Sequence, residues 1–361
     1  MKRNFSRALA VMAPVLVVFA GSARGENASS YYAGSSEGKY LSVTDSKQML
    51  DGKDAAATGG GNGCADSCCD DSCCDELDAF CEECPHSTTI LFTNFESWRG
   101  KPDGSFQNNN GLRTGFNYGA LVGERAGFQL GASYGAYDFQ GRQSSAPFEQ
   151  NTVQEQFFVT TGLFRRADCD SPWSAGLVYD WMINDNFSVL SNEPFLGQWR
   201  TQVAYATSAY NEFGIWGTIR DRGDSQTNVG FGTPTAYRAA SQWNTFWHHK
   251  LNCADTWLWV GAFDNSDDLS AGSGWGEWTI GGRFVAPVGD RLAFTGDLQY
   301  VKPSASAGTL GAQEEGFFVS FGICIYTSGN ARTRTVAGGC SQPYLDVANN
   351  GSFLVDTNRT F

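Results

Sequence analysis

From about Thr88 onward the chain alternates large apolar residues with small or polar ones. Trp173, Ala175, Leu177, Tyr179, Trp181 and Ile183 share one face, with Ser174, Gly176, Val178 and Asp180 on the other. Leu292, Phe294, Gly296, Leu298 and Tyr300 oppose Arg291, Ala293, Thr295, Asp297 and Gln299, and Phe317, Val319, Phe321, Ile323 and Ile325 repeat the pattern. Successive side chains of a strand point to opposite faces, so a period of two over segments of about ten residues predicts half-buried strands. Twelve are predicted, near 88–96, 112–122, 126–138, 152–165, 172–183, 195–207, 209–221, 237–251, 256–264, 274–287, 290–302 and 313–327. Long connections (97–111, 139–151, 184–194, 222–236, 265–273, 303–312) alternate with short ones (123–125, 166–171, 208, 252–255, 288–289). That alternation and an even strand count predict an all-β fold, an up-and-down antiparallel barrel of the outer-membrane type.

The two faces differ in a way that bears on which points inward. The apolar face is large and aromatic, whereas the opposite face is mostly Gly, Ser, Thr and Gln, which suits a crowded lumen. Trp173, Trp181, Trp199, Trp243, Trp247, Trp257, Trp259, Trp275 and Trp278 recur near strand ends, like the interfacial girdles of membrane barrels. A soluble β protein with ordinary core aromatics is the competing reading. Charged residues on the small face are Arg113, Asp180, Arg200, Glu212, Arg220, Glu277, Arg283 and Asp297. They are the candidate lumen-lining residues, either edging a narrow aqueous pore or pairing into a network that closes it. Trp216 also faces inward, which favours a closed or narrow interior.

Composition refines this picture. Of 361 residues only 17% are charged, while Gly numbers 43 and aromatics reach 14%. The formal net charge of −13 disfavours nucleic acid as a partner. Lys2, Arg3 and Arg7 precede an apolar run from Ala8 to Ala20, and Ala23-Arg24-Gly25 resembles a cleavage site, so 1–25 reads as a signal peptide and the protein as exported. Losing the four basic residues of that segment would take −13 to −17. Residues 26–86 hold 13 acidic residues against Lys39, Lys47 and Lys53 and few apolar ones, and read as an acidic, disordered arm.

The arm carries Cys64, Cys68, Cys69, Cys73, Cys74, Cys81 and Cys84. Local disulfides, cross-links to an envelope or surface protein, and a soft-metal site are the three uses weighed, and the exported context favours disulfides over metal. Cys169, Cys253, Cys324 and Cys340 fall on the short-turn side and are further disulfide candidates, with buried free thiols as the alternative. The segment 328–361 follows the predicted barrel of 87–327. It is either a plug or, through Phe353, Val355, Thr357 and the terminal Phe361, a last strand displacing 88–96; the loop alternation favours the plug.

Catalytic patterns are poor. His248 and His249 are adjacent, so they face opposite sides of a strand, and no nucleophile motif accompanies them. Asp264-Asn265-Ser266-Asp267-Asp268 lacks the order of a calcium loop. No catalytic residue, metal site or cofactor is expected, and the chain is not read as an enzyme.

Several runs carry a family resemblance: Ser97-Trp98-Arg99-Gly100, Asp103-Gly104-Ser105, Asn109-Asn110-Gly111, Gly131 to Tyr137, and Val347 to Asn358. Over 88–358 the chain resembles an uncharacterised planctomycete family of secreted β-barrel-like proteins. The resemblance implies fold and exported location, not chemistry. Together these readings give an outer-membrane barrel in contact with lipid, structural or a narrow channel. The alternative is a secreted, disulfide-cross-linked cell-surface or adhesive protein.

Overall fold

The computed structural model describes residues 85–358 apart from 104–107, 124, 139–152, 169–170, 189, 228–233, 253, 265–275, 303–315, 329–330, 334 and 337–340. The leader, residues 26–84 of the acidic arm with its seven cysteines, Cys169, Cys253, Cys340, Trp275, Phe361 and all but Asp264 of the acidic loop lie outside the described residues. The wall is made by β1 (Ser87–Arg99), β2 (Asn109–Leu121), β3 (Gly127–Tyr137), β4 (Gln154–Arg165), β5 (Trp173–Asp185), β6 (Phe195–Ser208) and β7 (Asn211–Arg222). After the short β8 (Asp224–Thr227) and β9 (Pro234–Ala239), it continues with β10 (Gln242–Leu251), β11 (Ala254–Phe263), β12 (Trp278–Pro287), β13 (Leu292–Lys302) and β14 (Gly316–Tyr326). Each wall strand pairs antiparallel with its neighbours, β7 directly with β10, and β1 closes the ring on β14 from Ile90↔Tyr326 to Arg99↔Phe317. The result is a closed twelve-strand barrel. Closure leaves no unpaired strand edge, and no helix among the described residues is long and apolar enough to cross a membrane.

The alternation resolves as the composition of the two faces demands. Outward positions such as Leu112, Val203, Ile215, Val260, Leu298 and Phe321 are exposed, while Gln129, Gln156, Thr160, Asp180, Gln198 and Thr279 face inward and are wholly buried. Polar groups sit inside and apolar groups outside, the reverse of a soluble protein. Threonines on the outer face hide their hydroxyls. Thr114, Thr161, Thr201 and Thr245 donate to the carbonyls of Phe92, Gln129, Gly176 and Val260 on the adjacent strands. Outer aromatics gather toward both rims: Trp173 on Tyr205 and Phe213 on Trp247 near the short turns, and Tyr179 with Trp181 and Trp199 nearer the long loops.

Three expectations need correction. The span 237–251 is two strands, broken at Ala240-Ser241, because β9 leaves the wall to pair with β8 and with β15 (Val355–Thr357) in a small second sheet. The break is satisfied without ladder bonds: Ala240 N–H donates to Leu354 O, and Thr218 Oγ1 donates to Ala240 O while accepting from Gln242 N–H. Trp257 and Trp259 are not girdle residues. They lie on the inward parity of β11, between the outward Leu258 and Val260, and line the lumen. Cys324 is a free thiol facing inward from β14, packed with Val285, Ala293, Tyr326 and Ala331, and no disulfide is present among the described residues.

Candidate functional site

The lumen is occupied by the chain's own tail. Beyond β14 the tail crosses the short-turn mouth, where Ala331 N–H donates to Asp290 O and Val336 N–H to Ala209 O. Ser341 then meets Thr88 hydroxyl to hydroxyl at 2.8 Å, and 343–354 pass between the walls to reach β9 at the long-loop end. Irregular backbone buried in this way needs side-chain partners for its amides, and the inward residues supply them. Gln129 clamps Leu345 through both amide atoms, accepting from its N–H at 3.2 Å and donating to its carbonyl at 2.9 Å. Asn117 donates to the same carbonyl, Thr160 Oγ1 accepts from Ala348 N–H, and Gln198 donates to Ser352 O. Arg166, from the turn after β4, donates to the carbonyls of Gln342 and Pro343 and lies over the Tyr344 ring.

Inward glycines make the space. A Cβ built on Gly119 would stand 2.4 Å from Ser341 O, on Gly131 2.4 Å from Val347 Cγ2, and on Gly176 within van der Waals overlap of Leu345 Cδ1. At these three positions the small inward face is the imprint of the tail, while other inward glycines make room for wall side chains, as Gly127 does for Phe164 and Gly281 for Trp259. At the long-loop end the tail enters a core of Trp98, Tyr137, Phe158, Phe187, Phe318 and Phe353. There Asp356 is held by Lys101 at 2.7 Å and Arg238 at 3.1 Å.

Most of the charged lumen candidates pair with one another or with the tail. Arg113 donates to Glu96 at 2.5 Å and to Ser133, and Glu96 also accepts from Tyr137, whose hydroxyl in turn accepts from Asn350 of the tail. Arg200 forks onto both oxygens of Asp180 at 2.9 and 3.0 Å and donates a further bond to Asp346 O. Arg283 faces Asp297 at 3.8 Å and pairs with Asp346 of the tail. Glu212 meets His248 Nδ1 at 3.1 Å, and His248 stacks on Trp257 with ring centroids 4.1 Å apart. The Tyr344 hydroxyl lies 3.5 Å from Glu212 Oε1, at the limit of a hydrogen bond. Arg220 is half-buried near the long-loop end of β7. Glu277 departs from the expectation: it sits at the exposed rim beside β12 and pairs with Lys302 instead of lining the lumen.

The sequence reading missed Glu96, Gln129, Gln198 and Lys101. Neutral amides carry no charge signal, Glu96 fell at the edge of a predicted strand, and Lys101 fell in a loop. A cavity of about 180 Å³ remains between the tail and the β10–β13 side of the wall, lined by Trp216, His248, Trp257, Trp259, Gln299 and Tyr344 among others. No cluster of three or more His, Cys, Asp or Glu able to hold a metal ion exists among the described residues.

Solved structures similar to the chain include an outer membrane channel from Pseudomonas putida F1, 8% identical with a TM-score of 0.49 over 68% of this chain and 97% of that one. The P. putida toluene transporter TodX is 7% identical, with a TM-score of 0.38 over 69% and 90% of the two chains. The outer membrane phospholipase of Salmonella typhi is 9% identical, with a TM-score of 0.37 over 67% and 91%. The sequence finds no match among curated proteins. Residues 89–355 match a family of unknown function (DUF6666), and the chain belongs to that family.

Proposed function

We propose that the protein is an integral outer-membrane barrel held closed by its own tail. The observation that carries this reading is the fit of residues 341–357 into the lumen, hydrogen-bonded to inward side chains of β2, β3, β4 and β6 and accommodated by inward glycines. The exterior supports the membrane part. Its apolar residues run around the ring from Val203 and Ile215 through Val260 and Ile280, far beyond the scattered exposed apolar groups of a soluble monomer. The outward threonines, with hydroxyls turned onto backbone carbonyls, suit a surface where no water can satisfy them. In this state the barrel is structural, and a narrow channel opens only when the tail leaves.

Planar-bilayer recording tests the plug. The refolded full chain is expected to be silent, and a chain ending at residue 340 to pass steady current. A full chain as conductive as the truncated one would overturn the reading. Fractionation tests the location: release from membranes by salt or reductant alone would instead indicate the secreted, cross-linked form.

A further inference from the structure

We propose that the lumen cavity is a binding site for one neutral, hydroxyl-rich ring, a ligand of monosaccharide size. The inference extends the plug reading, on which it rests only because the tail forms one wall. The cavity of about 180 Å³ is smaller than the roughly 300–1,000 Å³ of sites that take drug-sized ligands. Its opposite wall is aromatic: Trp216 and Trp259 meet edge to face at 6.0 Å, beside Trp257, whose own ring is covered by His248 and Arg283. Aromatic faces with a few placed polar groups are the usual lining of small-molecule sites.

The polar groups left over select the ligand. Every charged side chain at the cavity already has a partner: His248 for Glu212, Asp180 for Arg200, Asp297 and Asp346 for Arg283, Lys250 for Asp255, and tail carbonyls for Arg166. An ionic ligand would have to break one of these pairs. Three buried polar atoms on the lining have none: His248 Nε2, Trp259 Nε1 and Thr335 Oγ1. His248 is 5% exposed and Thr335 2%. His248 Nε2 accepts or donates according to the form of the ring, the indole can only donate, and the threonine does either. Hydroxyl groups, which donate and accept, answer all three, and the apolar face of a sugar ring answers the indoles.

The test is titration of the folded full chain in detergent with D-glucose, followed by calorimetry and by acrylamide quenching of tryptophan, with inorganic phosphate and tetramethylammonium as charged probes. Saturable glucose binding that shields tryptophan from quenching is expected, with neither charged probe competing. Thr335→Val removes a hydroxyl at near-constant shape and Trp259→Phe removes the indole N–H with part of its ring face, and the two combined are expected to weaken glucose about tenfold. Absence of saturable glucose binding to the unmodified chain overturns the proposal, as does preferential binding of either charged probe. Unchanged affinity in a folded double variant overturns the location. Bilayer conductance involves no sugar, so the plug reading stands or falls separately.

Discussion

The two halves of the lumen solve the same problem differently. Near the long loops the tail is packed like the interior of a soluble domain: Phe353 sits against Phe158, β15 adds a strand to β9, and Asp356 is fixed by two cations. Near the short turns the tail is held by hydrogen bonds to its backbone and by two small apolar contacts, Ala331 against Val285, Ala293 and Tyr326 and Val336 against Ala167 and Ala206, and a cavity lies beside it. Sealing and site-building are thus separated along one axis. The apolar end supplies the closure, and the polar end keeps donors, acceptors and space. The comparison implies that the tail is anchored at the long-loop end and that loosening starts from the other.

The largest expected effect lies at the waist between the halves. Asp180 is fully buried and receives Arg200 in a two-bond fork while also accepting from Thr160 and Gln198. Asp180→Ala would leave the Arg200 guanidinium without its counter-ion, a loss of about 3–5 kcal/mol for a broken buried pair. Urea unfolding in lipid vesicles measures it. A smaller loss than that of a rim pair would show that the waist is hydrated and would erase the boundary between the halves.

Next comes a direct contrast of the two. Phe353→Ala removes a ring from the long-loop core and is expected to cost about 3–5 kcal/mol. Tyr344→Phe in the short-turn half removes only a hydroxyl, which meets Glu212 at 3.5 Å and also bonds Gln202 and Ser174, a cost of about 1–2 kcal/mol. Equal losses would mean that the cavity side holds the tail as firmly as the apolar side.

Why the wall was legible and the lumen was not follows from the same division. Strands such as 173–183 announce themselves because each residue answers to one of two environments, and loop lengths carry the topology. The pairing of β7 with β10 could not be read that way, since β8 and β9 form a hairpin inside what the pattern presents as a loop and a strand. The charged positions of the small face were visible, but their partners were not: Asp180 and Arg200 lie 20 residues apart and meet only through register. Trp257 and Trp259 misled because a tryptophan near a strand end looks the same whether it faces lipid or lumen. Parity with Leu258 and Val260 was the signal that distinguished them. The glycines were the plainest trace of the tail, read as a crowded interior without naming what crowds it.

Those glycines provide the most selective test of the comparison, although not the largest in energy. Gly131 belongs to β3 at the level where Gln129 clamps Leu345, and its missing Cβ would meet Val347 Cγ2 at 2.4 Å and Asn117 Oδ1 at 2.9 Å. Gly131→Val cannot be absorbed by the wall, whose backbone is fixed by pairing on both sides, so the tail must move. Overpacking of this kind costs about 1–3 kcal/mol. Because the tail is anchored at Phe353 and Asp356, the displacement is expected below them, seen as faster amide exchange at Leu345 and Ala348 with Val355 to Thr357 still protected. Adding Val347→Gly returns the space and should restore the protection. If instead exchange rises first at Val355, the anchor is at the wrong end, and the division of the lumen into a sealed half and a binding half fails.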